Sequence, residues 1–286
     1  MSAGARLDVP VPAAAIAPLT HAIAGEGPPV VLLNGGMMTL SAWEPVASRL
    51  RAGSDGAGAG YRTLGFDFRG QLLSPGPPPP DLAGHARDVV ALLDHVEWES
   101  AHFVGVSFGA EVTVELAATF PQRVRSLVLV TAMDRETPEF RRGSDEMRAI
   151  LAAVRAGGAR GPFYDQLIEG VYSEAYLDRE AAAFAARRTL VEQLPATWYD
   201  GVDGLLAALE GFDLRDRLAR IDCPALVAIA ADDRVMAPER SRALAAALHA
   251  EVVEHPTSGH GLVAEDPAWL AAAVLDFLDR VEARER

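Results

Sequence analysis

Lysine is missing from this chain altogether: all 26 basic residues are arginine, against 40 acidic ones, giving a formal net charge of −14 over 286 residues. The missing lysine itself reads as codon usage in a GC-rich genome. Gripping nucleic-acid phosphates takes a basic patch, so an acidic chain with scattered arginines argues against nucleic acid as a partner. Cysteine is nearly as scarce. Cys223 is the only one, so no internal disulfide can form and a reducing compartment is permitted. It precedes Pro224 at the start of an apolar run and reads as a small core residue. No apolar run reaches the ~18 residues of a membrane span. The amino terminus, MSAGARLDVPVPAAAIAPL, is apolar but carries Asp8, prolines and a single arginine where a signal peptide has a charged head and a clean apolar segment. The expected location is therefore cytoplasmic.

Half the residues are hydrophobic, enough to bury one large core with an insertion. Apolar runs of strand length, PPVVLLN (28–34), YRTLGFD (61–67), VRSLVLVT (124–131), PALVAIAA (224–231) and AEVVE (250–254), alternate with helical patterns. The helices expected are Leu40–Leu50 with Ser41 as cap, Asp81–Val96 capped by Asp81, Pro238–Leu248, and Pro267–Val281. Residues 52–60 read as a glycine-rich surface loop and Ser74–Pro80 as an extended proline segment on the surface. Strands alternating with helices imply βαβ crossovers and a mostly parallel sheet covered on both faces, an α/β fold. Between Ala132 and about Asp203 the alternation gives way to helix alone, for example Met147–Ala156 and Arg179–Leu194. This segment reads as a helical cap inserted at 133–203, with 1–132 and 204–286 forming the core. It holds Tyr164, Tyr172, Tyr176, Tyr199 and Trp198, aromatics suited both to packing the cap and to lining a pocket.

The stretch His102–Pro121, HFVGVSFGAEVTVELAATFP, reads as a buried strand, a sharp turn with Ser107 at its apex, and a helix. A serine hydroxyl is a weak nucleophile and has to be exposed beside a base and next to backbone donors. Gly105 and Gly109 allow the close strand–helix approach that such an elbow needs. In parallel sheets, ligands sit beyond the carboxyl ends of the strands. His260, in TSGHGLVAEDP between the last strand and the last helix, is the histidine best placed to reach that end. For the acid that orients it, Asp233 is the first choice from ADDRVMAP, with its neighbour Asp232, and Asp134 at the end of VRSLVLVT, left open. Oxyanion donors are expected from the backbone N–H of Phe108 and of Gly36 or Met37. This chemistry calls for no metal and no organic cofactor.

Taken together, GVSFG, SGHG, LNGG, DFRGQLLS and ADDRVMAP resemble the α/β-hydrolase fold superfamily, in particular its capped branch of enol-lactonases, esterases and C–C hydrolases. The resemblance spans nearly the whole chain outside the cap. It implies Ser107 as nucleophile, His260 as base, Asp233 as orienter, and Gly36 with Phe108 as oxyanion donors. It implies a serine hydrolase acting on a small carboxylic ester or lactone. The alternatives are a C–C hydrolase or thioesterase with the same triad, and a catalytically silent binding protein on the same fold. Two motifs depart from the family pattern. Asn34 stands where a histidine is usual, and Gln71 and Leu72 stand where His-Gly is usual. The first bears on how the oxyanion loop is held, and Leu72 is expected to narrow the entrance.

Overall fold

A computed structural model describes residues 19–54, 56, 60–74 and 76–285. The amino-terminal segment, part of the glycine-rich loop and one residue of the proline segment lie outside the described residues. The chain forms β1 (His21–Ala24), β2 (Pro29–Leu33), α1 (Glu44–Ala52), β3 (Arg62–Phe66), α2 (Leu82–His95), β4 (Ala101–Val106), α3 (Phe108–Thr119) and β5 (Val124–Val130). After β5 come α4 (Pro138–Arg155), α5 (Gly161–Val171), α6 (Glu174–Arg179), α7 (Ala181–Glu192), α8 (Ala196–Ala208) and α9 (Arg215–Leu218). The chain then returns to the sheet with β6 (Ala225–Ala230), α10 (Pro238–Leu248), β7 (Glu251–His255), α11 (Leu262–Glu265) and α12 (Pro267–Glu285). The strands lie in the order β1-β3-β2-β4-β5-β6-β7. Only β1 runs antiparallel to its neighbour.

The central strands are mostly apolar because both faces of the sheet are covered, and alternate residues serve opposite sides; His102 in β4 and Arg125 and Ser126 in β5 are the polar interruptions. Val31, Leu33, Leu127, Leu129, Val227 and Ile229 meet α2, α3 and α10 through Val89, Val112 and Leu244. Val30, Leu32, Val128, Val130, Leu226 and Ala228 meet α1 and α12 through Val46 and Leu270.

Several sequence expectations need correction. β1 was not anticipated, because HAIA at a sheet edge is only half-buried and too short to show a period. The first helix begins as a 3-10 turn at Leu40–Trp43, and Ser41 caps nothing; its hydroxyl pairs with that of Thr39 at 2.9 Å. Asp81 does cap α2, accepting from Gly84 N–H at 2.7 Å. The helical stretch expected over 179–194 is broken at Glu180 into α6 and α7. The proline segment is not wholly superficial: Pro79 is buried, and the Pro78 ring abuts Gly70 and Gly204.

The helices between β5 and β6 are joined to the core by two long members. In α4, Phe140 belongs to the main core, whereas Met147, Leu151 and Val154 pack in a separate cluster with Phe163, Trp198 and Tyr199. In α8, Trp198, Tyr199 and Val202 sit in that outer cluster, while Leu205 and Ala208 return to the main core. The boundary drawn at 203/204 thus falls inside a continuous helix, where its packing changes partners. The two helices are clamped together by Asp203, which accepts from Arg148 at 2.9 Å and Arg155 at 2.7 Å. Among the described residues, no helix is long and apolar enough to cross a membrane.

α8 rests directly on the loop after β3. A methyl group added at Gly201 would lie 1.7 Å from the Gly70 carbonyl oxygen, and one at Gly204 would lie 2.2 Å from Pro78 Cγ. Replacing Gly201→Ala must therefore push α8 off this loop, at a cost of about 1–3 kcal/mol or more. Calorimetry should show a clear fall in Tm; a variant as stable as the parent would contradict the contact.

Candidate active site

Ser107 joins β4 to α3 in a conformation that side chains rarely adopt, with φ 53° and ψ −127°. Holding a non-glycine residue there costs on the order of 1–3 kcal/mol, so the surroundings must enforce it. They do so by close approach. A methyl group at Gly105 would meet the Gly109 carbonyl oxygen at 2.5 Å, and one at Gly109 would meet the Leu33 and Asn34 carbonyl oxygens at 2.5 and 2.6 Å. The Ser107 N–H donates to Val130 O at 3.0 Å, pinning the turn to the end of β5.

His260 and Asp233 come together from the loops after β7 and β6. The His260 Nδ1 lies 2.8 Å from Asp233 Oδ2, and both side chains are buried. The other Asp233 oxygen accepts from Val235 N–H at 2.9 Å and Met236 N–H at 2.8 Å, which fixes the carboxylate. This leaves no part for the other two aspartates. Asp232 is half-buried and pairs with Arg234 at 3.1 Å. Asp134 is held by Arg240, with Nε 2.9 Å from Oδ1, and so ties α10 to the end of β5. Neither adjacent aspartate caps α10, which starts at Ala237 without a side-chain cap.

The glycine loop after β2 faces the elbow: the position of a Gly35 Cβ is 3.6 Å from Ser107 Cβ, and that of Gly36 is 4.0 Å from Phe108 Cβ. The two departures from the family pattern prove to be one device. Asn34 Nδ2 donates to Gln71 Oε1 at 3.1 Å and to Phe66 O at 2.9 Å. The Gln71 amide, oriented in this way, donates from Nε2 to Gly35 O at 2.9 Å and to Gly36 O at 3.2 Å. In a trans peptide the N–H points opposite to the C=O. Drawing these two carbonyls toward Gln71 therefore aims the N–H groups of Gly36 and Met37 away from it. These are the two candidate donors from this loop. The Phe108 N–H opens α3, where first-turn N–H groups have no intrahelical acceptor. Asp67, buried beneath, accepts from Leu40 N–H at 2.7 Å and Leu73 N–H at 3.1 Å. Burial raises its pKa, against the pull of these bonds. Leu72, on the turn that follows Gln71, is exposed.

The sequence reading missed Glu111, one helical turn beyond Ser107 and wholly buried. One of its oxygens accepts from Met133 N–H at 2.9 Å; the other has no hydrogen-bond partner among the described residues. Burial pushes its pKa up to about 8, opposed by the Met133 N–H and reinforced by the charge of Asp233. The signal was present in the sequence, since FGAEVTVELAA sets two glutamates, Glu111 and Glu115, within an otherwise largely apolar helix. Among the cap tyrosines, Tyr199 donates to Val191 O at 2.6 Å, the Tyr164 hydroxyl is buried without a partner, and Tyr172 stacks on Tyr176 at 5.3 Å. No group of metal-ligating side chains occurs among the described residues.

The model of the α/β hydrolase fold matches residues 28–267. This chain belongs to the α/β-hydrolase fold family. A relative from Variovorax paradoxus (strain S110), named "Putative carbamate hydrolase RutD", is 32% identical over 274 residues, covering 93% of this chain and 98% of that one. The enol-lactonase from Burkholderia xenovorans LB400 superposes with a TM-score of 0.78 at 28% identity, over 91% of this chain and 96% of that one. An alpha/beta hydrolase enzyme from a Medee basin deep-sea metagenome library gives a TM-score of 0.82 over 91% of this chain and 94% of that one; at 23% identity it speaks for the fold alone. The protein is a hydrolase.

Two outcomes follow from this geometry. Asp233→Asn should lower turnover by about 10⁴ with little loss of folding, whereas Asp232→Asn and Asp134→Asn should cost at most a modest factor; steady-state kinetics on the three purified variants decides. Glu111 bears on stability. Between its ordinary value of 4.5 and about 8 the unfolded chain gives up this proton and the folded chain keeps it. Folding stability therefore falls as pH rises through that window. Glu111→Gln should lose less stability than the parent between pH 5 and pH 8 in denaturant titrations, and parallel losses would refute the burial argument.

Proposed function

We propose that this hydrolase cleaves a small carboxylic ester or lactone through a Ser107 acyl-enzyme. The observation that carries the reading is the buried 2.8 Å pairing of His260 Nδ1 with Asp233, on the loops after β7 and β6, at the same end of the parallel sheet as the strained Ser107 elbow. With Nδ1–H held by Asp233, the free Nε2 is the basic nitrogen, and it takes the Ser107 proton as Oγ attacks the carbonyl carbon. The N–H groups of Phe108 and of Gly36 or Met37 supply hydrogen bonds to the resulting oxyanion, where they are worth far more than to the ground-state carbonyl. Collapse of the tetrahedral intermediate expels the alkoxide, which receives the proton from His260. A water then gives its proton to His260, attacks the acyl carbon and releases the acid, and Ser107 regains its proton. In a lactone the alcohol and acid remain one molecule.

The cap supports the substrate side of the reading. Tyr172, Tyr176 and Phe184 form an aromatic cluster, and the Tyr172 ring lies so close to Gly261 that a methyl group there would meet its Cε1 at 2.4 Å. Rigid aromatic walls beside the histidine favour compact or aromatic acyl groups over long chains. A second reading, a carbamate in place of the ester, is favoured by the name of the Variovorax relative, which spans 98% of its own length in the comparison. The same triad serves both, because each substrate offers an acyl carbonyl with a leaving group.

Labelling with a fluorophosphonate, followed by turnover on esters, lactones, carbamates and thioesters, tests the proposal. Ser107→Ala should abolish labelling and lower turnover by about 10⁴ to 10⁶. Retained activity in that variant would remove the acyl-enzyme, and a kcat/KM for carbamates far above that for esters would select the second reading.

A further inference from the structure

The loop that carries His260 is tied to the cap by one carboxylate, that of Glu265. This residue ends the single turn α11, five positions after His260, and its side chain folds back over the loop. Oε1 accepts from Gly259 N–H at 3.1 Å and from Ser173 N–H at 3.0 Å, while Oε2 accepts from the Ser173 hydroxyl at 2.5 Å. Ser173 lies in the cap, in the turn between α5 and α6, and caps α6. The next peptide reinforces the tie, because Gly261 N–H donates to Val171 O at 2.8 Å. Both residues flanking His260 therefore bond across to this region: Gly261 directly to the cap, and Gly259 through an oxygen shared with Ser173. A methyl group at Gly259 would stand 2.8 Å from Ser173 N, so the two backbones are in contact as well.

Resting on the Ser107 acyl-enzyme reading, we propose that Glu265 is a positioning residue for His260, setting the imidazole for proton transfer only while the α5–α6 turn of the cap is seated on the loop. Asp233 fixes one ring nitrogen, but a single hydrogen bond leaves the ring free to swing about it. The loop backbone sets where the other nitrogen points, and Glu265 is the side chain that, beside the Gly261–Val171 backbone bond, holds that backbone against the cap. Displacements of about 1 Å in such a group lower rates by as much as 10²-fold. The device needs hydrogen-bond acceptance rather than charge. A glutamine at this position can present its oxygen to the two N–H donors and its NH₂ to the Ser173 hydroxyl oxygen, preserving all three bonds.

The experiment compares the parent, Glu265→Ala, Glu265→Gln and Ser173→Pro by the second-order rate of fluorophosphonate labelling, by kcat and KM on the best ester of the panel, and by Tm. The proline variant deletes both Ser173 donors without touching Glu265, and the native φ of −65° at this position is the one proline adopts. Tyr172, with φ −109° and ψ 151°, is also compatible with a following proline. Glu265→Ala and Ser173→Pro should each lower labelling rate and kcat by about 10- to 100-fold with a smaller change in KM. Glu265→Gln should restore most of the rate. If Glu265→Ala does not fold, Ser173→Pro and Glu265→Gln carry the same comparison. A folded Glu265→Ala or Ser173→Pro that labels as fast as the parent overturns the inference alone, as does a Glu265→Gln as slow as Glu265→Ala. A parent that takes no label overturns the acyl-enzyme reading and this inference with it.

Discussion

The structure depends on one steric constraint, the distance at which the turn between β4 and α3 passes the end of β2. Ser107 is held in a left-handed conformation because Gly109 lies against the carbonyls of Leu33 and Asn34 and Gly105 lies against Gly109. With side chains in those two places the turn would relax and Ser107 would retreat. The same approach brings Gly35 beside Ser107 and Gly36 beside Phe108, so one contact positions both the elbow serine and the glycine loop next to it. Close packing of this kind transmits displacements, because a dense interior has no slack to absorb them.

Around that contact, polar groups are disposed in two self-contained sets. Asn34, Asp67 and Gln71 orient the glycine loop, and Asp233 with Glu265 orients the histidine. Each set also touches the cap. The first does so where Gly201 presses on Gly70, next to Gln71, and the second where Ser173 meets Glu265. The helices between β5 and β6 are thus structural neighbours of both sets.

Much of this was legible in the sequence. The parallel sheet could be read because strands buried on both faces are nearly continuous apolar runs. Ser107 and His260 could be read because each sits just past the end of a strand. Asp233 was already preferred to Asp232 in the sequence, and geometry adds the 2.8 Å approach of its carboxylate to His260. β1 stayed hidden in four half-buried edge residues, and the break at Glu180 left no trace in the helical pattern around it. Asn34 and Gln71 stood out singly as departures. That one compensates for the other is a long-range relation, 37 residues apart in the chain, which no local pattern encodes. Glu265 escaped notice for the same reason, its partner Ser173 being 92 residues away.

The paired helices α4 and α8 have a consequence for how the molecule breathes. Each is rooted in the main core at one end and embedded in the cap cluster at the other, with Asp203 bridging them, so there is no flexible joint at the base of the cap. Swinging the whole cap outward would pull Phe140, Leu205 and Ala208 from the interior and would amount to partial unfolding. Fluctuations that stop short of this fall on α5, α6 and α7, which hang from the two struts. Opening of that unit would part Ser173 from Glu265 while α4 and α8 stayed packed in the core.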